Sequence, residues 1–134
     1  MNKPIEDYAL VGDCRSAALV GRDGSIDWLC WPRFDSDACF ASLLGSDRNG
    51  RWLIAPPRDV TTISRRYRKD TLVLETTFSM PSGRVTVIDF MVPHHRGSAL
   101  ARLVRCDEGE VQMDMELVLR FGYGATVPWV TRAP

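Results

Sequence analysis

Ser16-Ala17-Ala18-Leu19-Val20-Gly21-Arg22-Asp23-Gly24-Ser25-Ile26-Asp27-Trp28-Leu29-Cys30-Trp31 is the stretch that decides the fold class. Two apolar, β-prone runs, Ser16–Val20 and Ser25–Trp31, flank Gly21-Arg22-Asp23-Gly24, and an Asp-Gly step readily takes the positive φ angles of a tight turn. The reading is a β-hairpin. Immediately after it, Trp31-Pro32-Arg33-Phe34-Asp35-Ser36 breaks the strand, because Pro32 has no amide hydrogen for a ladder. Asp35 or Ser36 is expected to cap a short helix running through Leu44, with Gly45 as its stop.

Further along, Trp52–Ala55 reads as a short strand ended by Pro56-Pro57, since two successive rings cannot donate to a neighbour. Val60–Tyr67, Leu72–Met80 and Arg84–Met91 are three more β-prone runs, separated by polar or Pro-Ser-Gly turns that let the chain reverse. The clearest periodicity is Val111, Met113, Met115, Leu117, Leu119 and Phe121, with Gln112, Asp114, Glu116 and Arg120 between them, which predicts one strand with a buried face. Ala99–Cys106 is expected to pair with that strand across an acidic turn, Asp107-Glu108-Gly109-Glu110. About seven or eight strands and one short helix, with no long helices between strands, specify an all-β antiparallel sandwich and exclude a parallel α/β sheet.

The bulk composition narrows the partners. A chain of 134 residues, 45% hydrophobic and 25% charged, is expected to fold as one globular domain spanning 1–134. Seventeen Lys and Arg balance seventeen Asp and Glu, so no long-range field recruits nucleic acid or an anionic membrane, and neither is expected as a partner. Lys3, Pro4, Glu6 and Asp7 interrupt the apolar stretch a secretory signal needs, and no apolar run approaches the roughly 18 residues of a membrane span. The expectation is a cytoplasmic protein with reduced thiols. Cys14, Cys30, Cys39 and Cys106 lack paired C-x-x-C spacing, so they read as free core thiols rather than a metal site. Gly12 and Gly21 form no phosphate-cradling loop and no nucleophile triad signature is present, so no cofactor is expected.

The run Pro4-Ile5-Glu6-Asp7-Tyr8-Ala9-Leu10-Val11-Gly12-Asp13-Cys14-Arg15-Ser16, continuing through the hairpin to Trp31-Pro32-Arg33-Phe34-Asp35-Ser36, resembles the opening of bacterial glycoside hydrolase family 15 proteins, the glucoamylase- and trehalase-like enzymes. The similarity continues through Ala38–Gly45, Gly50-Arg51-Trp52, Arg66-Tyr67-Arg68, Thr71–Thr76 and Val87–Met91, and so covers nearly the whole chain. The resemblance implies a large N-terminal β-sandwich, of which 134 residues are an incomplete version. It further implies a following helical barrel that supplies two glutamates as general acid and general base. The partner implied is therefore that catalytic barrel, the substrate an α-glucoside cleaved with inversion by a glucoamylase or trehalase, and no catalytic residue is assigned within this chain.

The candidate functional segment is the loop carrying Trp31, Arg33, Phe34 and Asp35, because Arg, Phe and Asp beside Pro are poorly explained by strand packing. It is expected to face the barrel or wall the sugar pocket, with Arg33 or Asp35 on hydroxyls and Trp31 or Phe34 as a stacking face. Asp27 with Asp35, near Trp28 and Trp31, is the alternative acid pair, weighed against acids that cap turns and tryptophans that fill the core. His94-His95 reads as a solvated loop, since adjacent residues on an extended chain point to opposite sides. Arg65-Arg66-Tyr67-Arg68-Lys69 reads as a strand whose charges split between faces. A second reading is a stand-alone carbohydrate-binding or self-associating module, if Trp28, Trp31, Trp52 and Trp129 are exposed, with a homodimer formed through open strand edges. A small hydrolase using its own acids is the third.

Overall fold

A computed structural model describes residues 3–94 and 96–133. Among them run ten strands: β1 Tyr8–Gly12, β2 Ala17–Gly21, β3 Ser25–Cys30, β4 Ala38–Phe40, β5 Arg51–Ala55, β6 Thr62–Tyr67, β7 Leu74–Met80, β8 Gly83–His94, β9 Gly97–Gly109 and β10 Asp114–Val118. Single 3-10 turns at Ile5–Asp7, Ser42–Leu44, Asp47–Asn49 and Gly122–Gly124 are the helical elements. One sheet has the order β1-β2-β3-β5-β10, with β4 added beside β3, and the other the order β6-β7-β8-β9. Each of these pairings is antiparallel, as the all-β reading requires. No helix among the described residues is long and apolar enough to cross a membrane.

The β2–β3 hairpin forms where the sequence places it. Gly24 sits at φ +85°, its amide donates to Gly21 O at 3.0 Å, and the Asp23 carboxylate accepts from the Ser25 amide at 3.2 Å. Gly24 is required twice: a Cβ there would lie 2.4 Å from Ile54 O, where β5 crosses behind the turn. Strands β5 to β8 also fall on the runs read as strands, and Pro81-Ser82 turns β7 back onto β8.

Three expectations are corrected. The helix capped by Asp35 or Ser36 is absent; Ala38–Phe40 is instead a strand, wholly buried, that pairs Leu29 with Phe40 and Cys30 with Ala38. Only Ser42–Leu44 makes a 3-10 turn, stopped at Gly45 as anticipated. Burying Phe40 in the core outweighs the local capping signal. The second correction concerns Ala99–Cys106, which does not pair with the Val111–Phe121 stretch. Strand β9 runs through to Gly109, absorbs the expected acidic turn, and pairs with β8 from Gly83↔Gly109 to His94↔Gly97, while β10 crosses to the other sheet and pairs with β5. A tight β8–β9 connection makes a long local ladder, and local pairing closes a shorter loop than the one read from the sequence. Finally, the strand read over Val111–Phe121 shrinks to Asp114–Val118, and its apolar face is largely uncovered: Met115 and Leu117 stand opposite Ile54 and Trp52 but remain 69% and 54% exposed. They lie on an edge strand that has no neighbour among the described residues beyond it.

The two sheets enclose a core of Val11, Val20, Ile26, Leu29, Phe40, Leu74 and Met91, continued by Ile54, Phe78, Val85 and Val87. Through it passes one fully buried ion pair. Arg102 on β9 donates from Nε to Asp89 Oδ1 at 2.7 Å and from Nη2 to Asp89 Oδ2 at 3.3 Å, and both side chains are sealed from solvent. Its remaining donors reach across to the opposite sheet, onto Trp52 O at 2.5 Å and Gly24 O at 2.7 Å, while the guanidinium lies 5.3 Å from the Trp52 ring centroid. A single arginine therefore ties β8 and β9 to β5 and to the hairpin turn.

Candidate functional site

The loop after β3 keeps an exposed, internally braced shape. The Trp31 amide donates to Asp37 O at 3.4 Å, the Ser36 amide to Arg33 O at 3.1 Å, and the Arg33 amide to Ser36 Oγ at 3.2 Å. The Phe34 amide reaches over to Arg15 O at 2.9 Å, which pins the loop to the β1–β2 turn. That turn is itself shaped by Asp13, whose Oδ1 accepts from the Arg15 and Ser16 amides, both at 2.9 Å, while Cys14 takes φ +69°. Such an aspartate bonding to amides two and three residues on is the usual side-chain support of a tight turn. Cys14 is exposed, as is Cys106, whose Sγ lies against the Glu108 and Gly109 carbonyls, so only Cys30 and Cys39 are the core thiols expected; burial pushes the Cys39 thiol up to about 11.

Together these loops and the β8–β9 turn enclose a cleft of about 710 Å³ lined by Arg15, Arg33, Phe34, Asp35, Arg96 and Ser98, among others. Three of the four candidate residues meet here: Phe34 is 60% exposed, and Arg33 Nε pairs with Asp35 Oδ1 at 3.0 Å on the solvent side. Trp31 does not join them. It lines a neighbouring groove of about 560 Å³ with Asp37, Trp52, Leu117, Leu119 and Phe121. Arg15 and Arg96 are cleft residues that sequence reasoning missed, and no local pattern marks them; only the topology brings positions 15, 33 and 96 to one end of the sandwich.

The alternative acid pair is not assembled. Asp27 is buried and committed: its Oδ2 accepts from Lys3 Nζ at 2.6 Å and Tyr8 OH at 2.7 Å, and its Oδ1 from Ser25 Oγ at 2.5 Å. It borders a separate pocket with Lys3, Tyr8, Ser42 and Ser46, away from the cleft that holds Asp35. Burial alone would raise the Asp27 carboxyl, but the donors from Lys3, Ser25 and Tyr8 hold it below the ordinary carboxylate range. The same arrangement raises the Tyr8 phenol, through burial first and then its bond to Asp27. Inverting hydrolysis needs two carboxyl groups about 6.5–9.5 Å apart around one bond.

The tryptophans divide. Trp28 packs on Tyr123 with ring centroids 6.1 Å apart, and Trp52 packs against the core, whereas Trp31 and Trp129 are exposed. The basic run of β6 splits as alternation demands. Arg65 Nη1 donates to Val20 O at 3.1 Å and Tyr67 OH bonds Leu10, while Arg66 and Arg68 close on Glu75 at 2.8 and 2.9 Å. The bond from Arg68, with Arg66 adding to it and burial opposing, holds the Glu75 carboxyl below its usual range. His95 and the side chain of His94 lie outside the described residues. Among the described residues no group of three or more His, Cys, Asp or Glu side chains is placed to hold a metal ion.

Comparison with known proteins adds the family. Residues 1–132 match the family described as trehalase-like, N-terminal. The trehalase of Mycolicibacterium smegmatis is 33% identical over 90% of this chain and 21% of its own length, and that of Mycobacterium tuberculosis is 33% identical over 92% and 21%. Trehalase 1 of Sulfolobus acidocaldarius is 34% identical over 96% of this chain and 22% of its own length. The chain thus spans about one-fifth of the length of the curated relatives it matches. No solved structure matches.

Proposed function

The chain belongs to the trehalase-like N-terminal family, and from that premise we propose that it is a noncatalytic accessory domain of a glycoside hydrolase of family 15 type, packed on a catalytic helical barrel. The parent reaction is hydrolysis of an α-glucosidic bond with inversion, and trehalose is preferred over maltooligosaccharides as substrate because the matched relatives bear that name. The observation that carries the reading is the placement of the acids. Asp27 spends both oxygens inside the fold and Asp35 stands exposed on another cavity, so this pair does not flank one bond, which supports a reading in which the paired carboxyls belong to the barrel. A cytoplasmic setting belongs to the same proposal, in keeping with exposed thiols at Cys14 and Cys106 that stay reduced there.

Within this proposal the cleft end of the sandwich faces the barrel, and the Trp31–Asp35 loop walls the sugar pocket. Phe34 supplies an apolar face beside Arg33 and Asp35, the mix of ring surface and planar hydrogen-bonding groups that suits a hydroxylated ring. In a trehalase-like enzyme carrying this domain, Arg33→Ala or Asp35→Ala is expected to raise KM about three- to tenfold, the loss of one hydrogen bond to substrate. Steady-state kinetics on trehalose check this. Unchanged kinetics with a lowered unfolding midpoint would mean that the loop serves interdomain packing alone.

A further inference from the structure

The pocket that Asp27 borders, about 330 Å³ in volume, is lined from three separate parts of the chain: Lys3 and Tyr8, Asp27 on β3, and residues of the run from Ser42 to Arg48. Contacts closed within the fold hold these parts in place. Lys3 Nζ and Tyr8 OH meet on Asp27 Oδ2, Arg51 Nη1 reaches Asp47 Oδ2 at 3.1 Å, and Ser46 and Asn49 cap the second 3-10 turn. Several polar groups around the space are nevertheless unused. Ser42 is nine-tenths buried, yet its hydroxyl has no hydrogen-bond partner among the described residues, a costly state unless a partner enters. Tyr8 OH gives its hydrogen to Asp27 and keeps its oxygen lone pairs. Asp47 Oδ1 is uncommitted, and the Arg48 guanidinium makes no ion pair among the described residues.

Charge decides the class of ligand. Lys3, Arg48 and Arg51 are matched by Asp23, Asp27 and Asp47, and all but Arg48 are joined in ion pairs. A site with no net charge gains little from an anion or a cation, whereas a neutral ring bearing several hydroxyls can both give and accept hydrogen bonds at the free groups. We propose that this pocket binds a neutral hexopyranose, with Ser42 and Arg48 on its hydroxyls and Leu43 against a ring face. The volume lies at the small end of ligand pockets, which run from about 300 to 1,000 Å³, and so suits one sugar ring rather than a chain. The proposal is independent of the accessory-domain reading and of the Trp31–Asp35 loop, whose Arg33, Phe34 and Asp35 line a different cavity.

The test is a titration of the 134-residue chain with D-glucose to about 100 mM, followed by amide 15N–1H NMR, whose spectrum also reports folding. Saturable shifts are expected at the amides of Tyr8 and of Ser42 to Arg48, with a Kd of about 1–10 mM, the range for a ligand of this size making a few hydrogen bonds. Ser42→Ala, which removes one hydroxyl, and Arg48→Ala are each expected to weaken binding about three- to tenfold while keeping the rest of the spectrum. Glycerol at the same concentration is expected to leave these amides unmoved, and glucose 6-phosphate to bind no more tightly than glucose. No saturable shift at these amides, or shifts confined to Arg33–Asp35, overturns the proposal. So does a Ser42→Ala chain that binds as well as wild type, a glycerol response equal to that of glucose, or clearly tighter binding of the phosphate ester.

Discussion

Arg102→Met is expected to lower the unfolding free energy by about 3–5 kcal/mol, the usual loss when one partner of a sealed ion pair is removed. The substitution keeps most of the side-chain volume, so the effect isolates the charge. Asp89 is left buried without its counter-ion, and Trp52 O and Gly24 O lose donors that come from the opposite sheet. Domains of this size hold a total of about 5–15 kcal/mol, so the variant is expected to be marginal at room temperature. Urea titration followed by tryptophan fluorescence measures it. Two further variants sharpen the result. Arg102→Lys is expected to recover little, because an ammonium cannot present the fork that meets Asp89, Trp52 O and Gly24 O together. The double variant Arg102→Met with Asp89→Leu is expected to be more stable than Arg102→Met alone, since no unpaired charge is then buried.

The second large effect is expected at Asp27. Asp27→Ala removes the acceptor shared by Lys3, Tyr8 and Ser25 and is expected to destabilise by about 2–4 kcal/mol. Its pH signature has a defined sign. The folded-state carboxyls of Asp27 and Glu75 lie below their ordinary values, so their stabilisation is complete above about pH 5 and is lost as the pH falls through the folded-state values. The urea midpoint of the wild type is therefore expected to drop on acidification below about pH 4, and Asp27→Asn to show a shallower drop. At the alkaline end Lys3 and Tyr8 are both raised: Lys3 by its bonds to Asp23 and Asp27, which overcome its burial, and Tyr8 by burial and then Asp27. Their contributions hold below about pH 10 and disappear only as the pH rises past the raised values. A midpoint that is flat from pH 6 down to pH 3 would contradict the role given to these carboxylates.

Much of the fold was legible because its signals are local. The Asp23-Gly24 step, the Pro56-Pro57 stop and the Pro81-Ser82-Gly83 turn each act within a few residues, and the strands they bound fall where the sequence put them. What was not legible depends on distant partners. Nothing near Ala38–Phe40 announces that β3 has an edge free for a short strand, and burial of Phe40 there overrides a helix-capping pattern. The period-two stripe from Val111 to Phe121 told correctly which side chains share a face, since Met115 and Leu117 stand opposite Ile54 and Trp52. Periodicity alone, however, does not say whether another element covers that face, nor which strand is the neighbour. The cleft shows the same division. Arg33, Phe34 and Asp35 were visible as an odd loop, whereas Arg15 and Arg96 join it only through the way β1–β2 and β8–β9 turn at one end of the sandwich. The resemblance to family 15 glycoside hydrolases contributed the family assignment, which the match over residues 1–132 bears out as trehalase-like, N-terminal.

Asp27, Glu75 and Asp89 each spend their carboxylates on bonds inside the fold, and the proposed function leaves bond cleavage to the barrel. The most direct test is to incubate the purified 134-residue chain with trehalose and with maltose and assay released glucose over long times. The account predicts no release above a buffer blank with either sugar. Turnover that vanishes when Asp27 or Asp35 is replaced by its amide would place proton-transfer chemistry inside this chain and contradict it.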